Sequence, residues 1–446
     1  MSIYKDCDIR GIYPSEITAD ECYKIGRALA TLAPGRILLG GDVRTSTPRL
    51  KHMLMQGLVD SGAEAVDLGT IPTPVLYYAL KHGSAAAGAT VTASHNPPEY
   101  NGVKFMIGNV PVVRETIDRL HEVVQAEAYA CHPGSTCEWD VLSEYKNFLV
   151  QRFHAKKPLH VLIDAGCGAM SKVAPEVFRR AGYQVTELFC EPDGSFPMRS
   201  PNPAEYSCLG AACEKIRACG ADFGVAFDGD GDRAVFIDEN GVPVQNEKSL
   251  VLFIRALLKN NPTPVVYDQK SSSIIRRAVE EMGGEPMPEK SGHAFIKKRF
   301  LENGAAVAGE VSGHFFFGEL GYDDGLFAAL MMADLIAEGG TTLGAMVSGM
   351  VCPPITPDIR IPCSYAMQQS WLDLAEEMAV ARGAAISHLD GVRADFAGGW
   401  FLMRKSVTAE QVTLRAEADT REELLALLVQ IAEVLPEAAR PYLEIE

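Results

Sequence analysis

"LHVLIDAGCGAMSKVAPEVFRRAGYQVTELF", residues 159–189, reads as one structural unit. An apolar run ends at Asp164, a small polar turn follows, and a helical pattern runs on to Gly182, beyond which a second apolar stretch begins. A strand, a loop, a helix, a glycine stop and a second strand make a βαβ unit. The same order appears upstream. There "RILLGGDVRTSTPRL" (36–50) ends its strand at Asp42 and Gly62 stops the helix. It appears again in "PVVYDQKSSSIIRRAVEEMGGEPM" (264–287), with Asp268 and Gly283. Three widely spaced copies predict three related α/β domains with mixed sheets, not a short-period solenoid.

The pattern changes near residue 354. A Pro-punctuated entry, "PPITPDIRIPCSY", leads to a helix predicted over 371–381, a hairpin-like "GVRADFAGGWFLMRKS", a strand "QVTLRAEA" and a helix "TREELLALLVQIAEVL". This predicts a smaller α+β domain at the end. The expected divisions are 1–138, 139–241, 242–353 and 354–446.

Bulk properties narrow the function. A chain of 446 residues is too long for a single core. The net charge of −17 argues against nucleic acid or an anionic membrane as partner. An anionic substrate would need cations gathered locally. The N-terminal stretch has no apolar segment typical of a signal peptide, and no apolar run reaches the roughly 20 residues of a membrane span. The 11 cysteines are scattered without a C-x-x-C pair, which predicts reduced thiols in a cytoplasmic protein.

Two stretches carry the strongest chemical signal. "ADFGVAFDGDGDRAVFIDENG" (221–241) predicts strands over 223–227 and 234–238, joined by a loop that alternates Asp228, Asp230 and Asp232 with glycine and ends in Arg233. Three carboxylates this close repel unless a cation holds them, and hard oxygen ligands suit Mg²⁺. An EF-hand is disfavoured, because Arg233 stands where that loop requires glycine. "TVTASHNPPEYNGVKF" (90–105) ends a strand and then stiffens the backbone with Pro97, Pro98 and the Asn101-Gly102 turn. Ser94-His95 does not read as a hydrolase pair, since no G-x-S-x-G elbow surrounds the serine. A serine carrying a phosphoryl group beside the metal fits better.

Weaker signals follow. In "GEVSGHFFF" (309–317), Glu310, Ser312 and His314 alternate, so an extended segment would present them on one face, suited to sugar hydroxyls. "EKSGHAFIKKRF" (289–300) supplies Lys290, His293, Lys297 and Lys298, as a helix start with a basic face toward water. "RKSVT" (404–408) sets Arg404, Ser406 and Thr408 at alternate positions, a possible phosphate grip.

Taken in order, "TASHNPPEYNGVKF", "DGDGDR", "GEVSGH" and "RKSVT", with "CDIRG" near the start, resemble the α-D-phosphohexomutases, which include bacterial phosphomannomutase/phosphoglucomutases. The resemblance spans nearly the whole chain. It implies four domains in a heart shape around a central cleft. It also implies that Ser94 is the phosphoserine, and that Mg²⁺ sits on Asp228, Asp230, Asp232 and the Ser94 phosphate. Arg233 would steady the transferring group. Glu310 and Ser312 would bind sugar hydroxyls with His314 beside them, and Arg404, Ser406 and Thr408 would clamp the unreactive phosphate. Arg10, Lys104, Lys270 and His293 match cleft positions, with Lys104 and His293 the acid/base candidates. The implied reaction interconverts hexose 6-phosphate and hexose 1-phosphate, of mannose or glucose, with glucose 1,6-bisphosphate or a related bisphosphate as activator. The expected protein is a monomer or homodimer. A phosphoglucosamine mutase, a phosphatase and a non-catalytic sugar-phosphate-binding homologue are the alternatives. Two departures mark this chain: Val407 stands where the family usually has Gly or Asn, and Val311 where mannose/glucose enzymes usually have Met.

Overall fold

Four β-sheets organise the computed structural model, which describes residues 2–406 and 410–443. Each of the first three is built on the predicted βαβ unit. In the first, strand Arg36–Gly41 leads through helix Thr47–Asp60 to strand Glu64–Thr70, which pairs parallel to it. In the second, His160–Asp164, Ala174–Arg180 and Gln184–Leu188 repeat the unit. Pro264–Asp268, Ile274–Glu281 and Glu285–Glu289 repeat it in the third. Each helix ends near a glycine with positive φ: Gly62 at 90°, Gly182 at 99° and Gly283 at 71°. Side chains resist that backbone conformation, so the glycines stop the helices.

The likeness goes further. In every copy the first strand is flanked by its βαβ partner on one side and by a third parallel strand on the other: Ala87–Val91, Phe223–Phe227 or Val307–Gly309. An antiparallel strand then returns beside the third: Tyr100–Ile107, Ala234–Ile237 or Phe315–Phe317. The three aspartates share one local role. Asp42, Asp164 and Asp268 each accept a hydrogen bond from the backbone N–H two residues on, at 2.9, 2.9 and 3.1 Å. Each fixes the first turn of its crossover.

The fourth domain differs. Strands Ile359–Pro362, Gln411–Ala418, Gly399–Lys405, Val392–Phe396 and Ala385–Ser387 form one antiparallel sheet in that order. Its long helix is Tyr365–Ala381, six residues longer at its start than the sequence suggested. The Cys363–Ser364 turn has no glycine or proline after it to mark a late start, and Tyr365, Met367 and Gln369 face water.

Cores divide unequally. One apolar cluster runs continuously through parts of the first three domains, from Leu38 through Phe178 and Phe253 to Met350. Helix Gly325–Gly339 from the third lies against strand Ala234–Ile237 of the second. The fourth domain has its own cluster, from Ile359 to Leu443. It meets the third through polar contacts: Lys270 to Asp358 at 3.2 Å, Gln269 Nε2 to the Asp390 carbonyl at 3.4 Å, and the Ser273 N–H to Glu417 at 3.0 Å. Polar interfaces of this kind permit relative domain motion.

At the start of helix Gly325–Gly339, Asp324 accepts from the Leu326 and Phe327 N–H groups and from the Tyr145 hydroxyl. Burial nonetheless raises its carboxyl to about 7. The folded protein thus keeps a proton that the unfolded chain releases near pH 4, so stability falls as pH rises from about 4 to 7. Relative to Asp324→Asn, the wild type is expected to lose on the order of 2–4 kcal/mol over that window. Urea midpoints at pH 4.5 and 7.5 check this, and parallel pH dependence of the two proteins would refute it. Among the described residues no helix is long and apolar enough to cross a membrane, and the cysteines are all free thiols.

Candidate active site

Three loops singled out in the sequence occupy one topological position. Residues 92–99, 228–233 and 310–314 each join the third parallel strand to the antiparallel one. The fold therefore delivers the serine, the carboxylates and the Glu310 loop from three equivalent strand ends. One expectation needs correction here. Residues 310–314 are not extended: the Gly313 N–H bonds back to the Glu310 carbonyl and Gly313 has φ 94°, so alternation does not place the three side chains on one face. The Ser312-Gly313 pair favours a turn over a strand, because glycine takes up the positive φ at no steric cost.

Ser94 is buried and holds a left-handed φ of 50°. Its hydroxyl donates to Asp228 Oδ2 at 2.8 Å. The His95 Nδ1 lies 3.4 Å from the Ser94 hydroxyl oxygen, and burial keeps that imidazole well below its usual pKa. Asp228 Oδ1 accepts from the Gly231 and Arg233 N–H groups, which curls the acidic loop inward. Asp230 is held by the Thr73 hydroxyl at 2.7 Å. Lys104 reaches across to donate to Asp230 at 2.9 Å and Asp232 at 2.6 Å. All three aspartates are fully buried.

Their ligand atoms lie within 4.8 Å of one another. Asp230 Oδ1 and Asp232 Oδ1 are buried without a hydrogen-bond partner. Burial and the two neighbouring carboxylates push Asp228 well above the usual carboxylate range. Unanswered negative charge and orphaned hard oxygens fit a small divalent cation such as Mg²⁺.

Arg233 donates from Nε to His314 Nε2 at 2.9 Å, and His314 Nδ1 lies 2.7 Å from Asp323. The imidazole is buried and both nitrogens have protein partners, so it braces Arg233. His293 stacks on His314, with ring centroids 5.5 Å apart, and burial lowers its pKa to about 4. It is a neutral imidazole at pH 7, able to accept a proton. Arg10 reaches the serine loop through Asn96, at 2.6 Å.

Residues 1–130, 142–241 and 245–351 match, in order, phosphoglucomutase/phosphomannomutase α/β/α domains I, II and III. The chain belongs to this family. A phosphomannomutase/phosphoglucomutase of Pseudomonas aeruginosa is 36% identical, over 95% of this chain and 93% of the relative. A phosphoglucomutase of Neisseria gonorrhoeae is also 36% identical, over 94% and 93%. A crystal structure of a phosphoglucomutase/phosphomannomutase family protein from Burkholderia thailandensis superposes with a TM-score of 0.91 at 31% identity, covering 98% of this chain and 97% of that one.

Within this phosphohexomutase framework the remaining residues fall into two groups. Glu310 accepts from the Gly292 N–H at 2.8 Å and from the Ser312 hydroxyl at 3.2 Å, which ties its loop to the start of the His293 helix. Lys270, Arg404 and Ser406 have partners from the fourth domain. Lys270 pairs with Asp358, Arg404 Nη1 donates to Asp390 at 2.8 Å, and the Ser406 N–H bonds to the Gln411 carbonyl in a hairpin. Thr408 and Val407 lie outside the described residues.

Lys297 does not face water as the basic pattern suggested. It is buried, with its ammonium 3.4 Å from the centre of the Tyr77 ring, and burial lowers its pKa to about 8. The aromatic partner comes from the first domain, which helical periodicity within 289–300 could not reveal. Thr73, Asp323 and Arg44 are further residues of the site that lie outside the functional motifs singled out in the sequence. For Arg44 a signal existed: it follows Asp42 by two residues at the end of the first βαβ strand.

Proposed function

We propose that this phosphohexomutase interconverts hexose 6-phosphate and hexose 1-phosphate, of mannose and/or glucose, through a phosphoserine at Ser94 and a 1,6-bisphosphate intermediate. The observation that carries the reading is the Ser94 hydroxyl, 2.8 Å from Asp228 at the edge of a buried carboxylate cluster with two orphaned oxygens. The relatives of similar length named as phosphomannomutase/phosphoglucomutase support it.

Asp228, Asp230, Asp232 and the Ser94 phosphate would hold Mg²⁺, which neutralises charge on the transferring group. The chain's own residues do the rest. Ser94 is held in line by its loop, because phosphoryl transfer depends on position and charge neutralisation. Arg233, braced by His314, steadies the equatorial oxygens. The phosphorus–oxygen bond to Ser94 breaks as one to the free sugar hydroxyl forms; that hydroxyl's proton passes to neutral His293, and the departing Ser94 oxygen takes up a proton, with Lys104 the candidate acid. Lys104 and Arg10 add positive charge around the phosphate. After the bisphosphate turns end for end, its other phosphate returns to Ser94. Glu310 and Ser312 hold hydroxyls near the middle of the sugar in both orientations. Arg404, Ser406 and Thr408 bind the distal phosphate, and Lys270 lines the substrate cleft. The separate core and polar interface of the fourth domain suit closure over the substrate, which keeps water from the phosphoserine.

A coupled assay with Mg²⁺ and a trace of glucose 1,6-bisphosphate tests this, using mannose, glucose, glucosamine and N-acetylglucosamine phosphates side by side. Conversion of mannose or glucose phosphate is expected. Conversion of the amino sugars alone would move the chain to the glucosamine reading, and release of inorganic phosphate without isomerisation would make it a phosphatase.

Gly229 supplies a sharper check. A Cβ there would stand 2.4 Å from the Ser94 carbonyl oxygen. Gly229→Ala should therefore displace the serine and lower kcat by about 100-fold. Steady-state kinetics showing a change below twofold would sink this prediction.

A further inference from the structure

An unusual buried cation lies against the serine loop. Arg44 is 1% exposed, and four of its guanidinium contacts go to backbone carbonyls of a single loop. Nη1 donates to Pro97 at 2.7 Å and Tyr100 at 3.0 Å. Nη2 donates to Ser94 at 2.8 Å and Asn96 at 2.6 Å. Nε lies 3.2 Å from Asp42 Oδ2. The fork thus meets carbonyls around the whole turn between strands Ala87–Val91 and Tyr100–Ile107.

The same pair also reaches the other side of the serine. The Ser94 N–H donates to Thr92 Oγ1 at 2.9 Å, and that hydroxyl donates to Asp42 Oδ2 at 2.7 Å. Asp42 is fixed in turn by the Thr47 hydroxyl and the Arg44 N–H. Both backbone polar groups of Ser94 are therefore anchored to Asp42 and Arg44. From the second domain the Phe196 ring covers the guanidinium, 4.9 Å from Cζ. A Cβ on Gly194 would stand 2.4 Å from the Arg44 Cα, so that domain packs directly on this residue.

We infer that Arg44 is a positioning residue for the phosphoryl-transfer step: it holds Ser94 in its left-handed conformation, with the hydroxyl aimed at the acidic loop. A non-glycine residue in that region is strained and persists only where its surroundings over-determine it. Two prolines stiffen the loop, but they do not set the φ of Ser94. A fan of charge-assisted hydrogen bonds from a planar fork does. Lysine offers donors from a single point and cannot span four carbonyls in this geometry.

The catalytic part of this assignment rests on the proposed mutase function; the structural part does not. Arg44→Lys is the test, read by hydrogen–deuterium exchange and by steady-state kinetics with glucose 1-phosphate. Amides of residues 93–101 are expected to exchange about 100-fold faster while the rest of the four sheets keeps wild-type protection. The kcat should fall about 100-fold with KM within about threefold, because positioning of the nucleophile is lost and sugar binding is not. Wild-type exchange in 93–101, or equal acceleration across all four sheets, would overturn the inference. Faster loop exchange in a protein whose wild type interconverts no hexose phosphate would support Arg44 as the anchor and reject the mutase reading. Should Arg44→Lys fail to fold, Thr92→Val removes the other anchor at constant shape. It should speed loop exchange and lower kcat about tenfold, and a wild-type result there would equally overturn the inference.

Discussion

Ser94→Ala is expected to abolish hexose phosphate interconversion while leaving sugar phosphate binding in place. The hydroxyl is the phosphoryl acceptor in the proposed cycle, and alanine offers no oxygen. The rate should fall by about four orders of magnitude or more, since no neighbouring group can replace a covalent carrier. His95 sits close but is the wrong substitute: its Nδ1 approaches the serine oxygen, 3.4 Å away, and not the position a phosphate would leave. The fold should survive, because the lost hydroxyl contributes only its bond to Asp228 and the longer contact to His95. Calorimetric titration with glucose 1-phosphate should give a Kd within about threefold of wild type. Intact mass after incubation with glucose 1,6-bisphosphate should show one phosphate on the wild type and none on the variant. Full-rate turnover by Ser94→Ala would end the phosphoserine reading. Loss of binding together with turnover would instead point to a serine that mainly shapes the cleft.

The second large effect concerns stability and metal together. Lys104 joins the first domain to the acidic loop of the second, at 2.9 Å from Asp230 and 2.6 Å from Asp232. Burial alone would push its ammonium down, but the two carboxylates hold it well above the usual lysine value. It is thus the cluster's internal counter-charge. Lys104→Met keeps most of the side chain's volume and removes that charge. In EDTA the variant is expected to lose about 3–5 kcal/mol, the usual consequence of leaving buried charge unpaired. Millimolar Mg²⁺ should recover much of the loss, because a cation that binds the folded cluster stabilises it by mass action. Melting curves of both proteins in EDTA and in Mg²⁺ measure this directly. An equal Mg²⁺ response in the two proteins would refute the counter-charge role. Restored stability without restored turnover is also expected, since Lys104 is proposed to contribute charge at the phosphate.

Much of this architecture was legible because its signals are local. Gly62, Gly182 and Gly283 mark helix stops through the backbone freedom of one residue type, and the strands around them are short apolar runs. The acidic loop was equally plain: like charges spaced by glycine have few structural uses. Other features depended on partners far away in sequence. Alternation alone makes 310–314 read as extended, but the positive φ of Gly313 bends it into a turn. Lys297 looked solvated because its aromatic partner, Tyr77, lies more than two hundred residues earlier. Asp323 gave no sign of orienting His314, since neither spacing nor composition specifies which carboxylate an imidazole will meet.

By itself, then, the sequence determined the three βαβ units, the distinct last domain and the identity of the serine and carboxylate loops. Turn chemistry and hydrophobic periodicity act over a few residues, and those are readable in one dimension. Only the tertiary structure decided that the three functional loops share one topological position, and that Lys104 crosses a domain boundary to neutralise Asp230 and Asp232. It also decided that Arg44 gathers the carbonyls of the serine loop. Electrostatic pairing and hydrogen bonding depend on distance in space, and burial sets their strength; both are properties of the packed chain and not of its order.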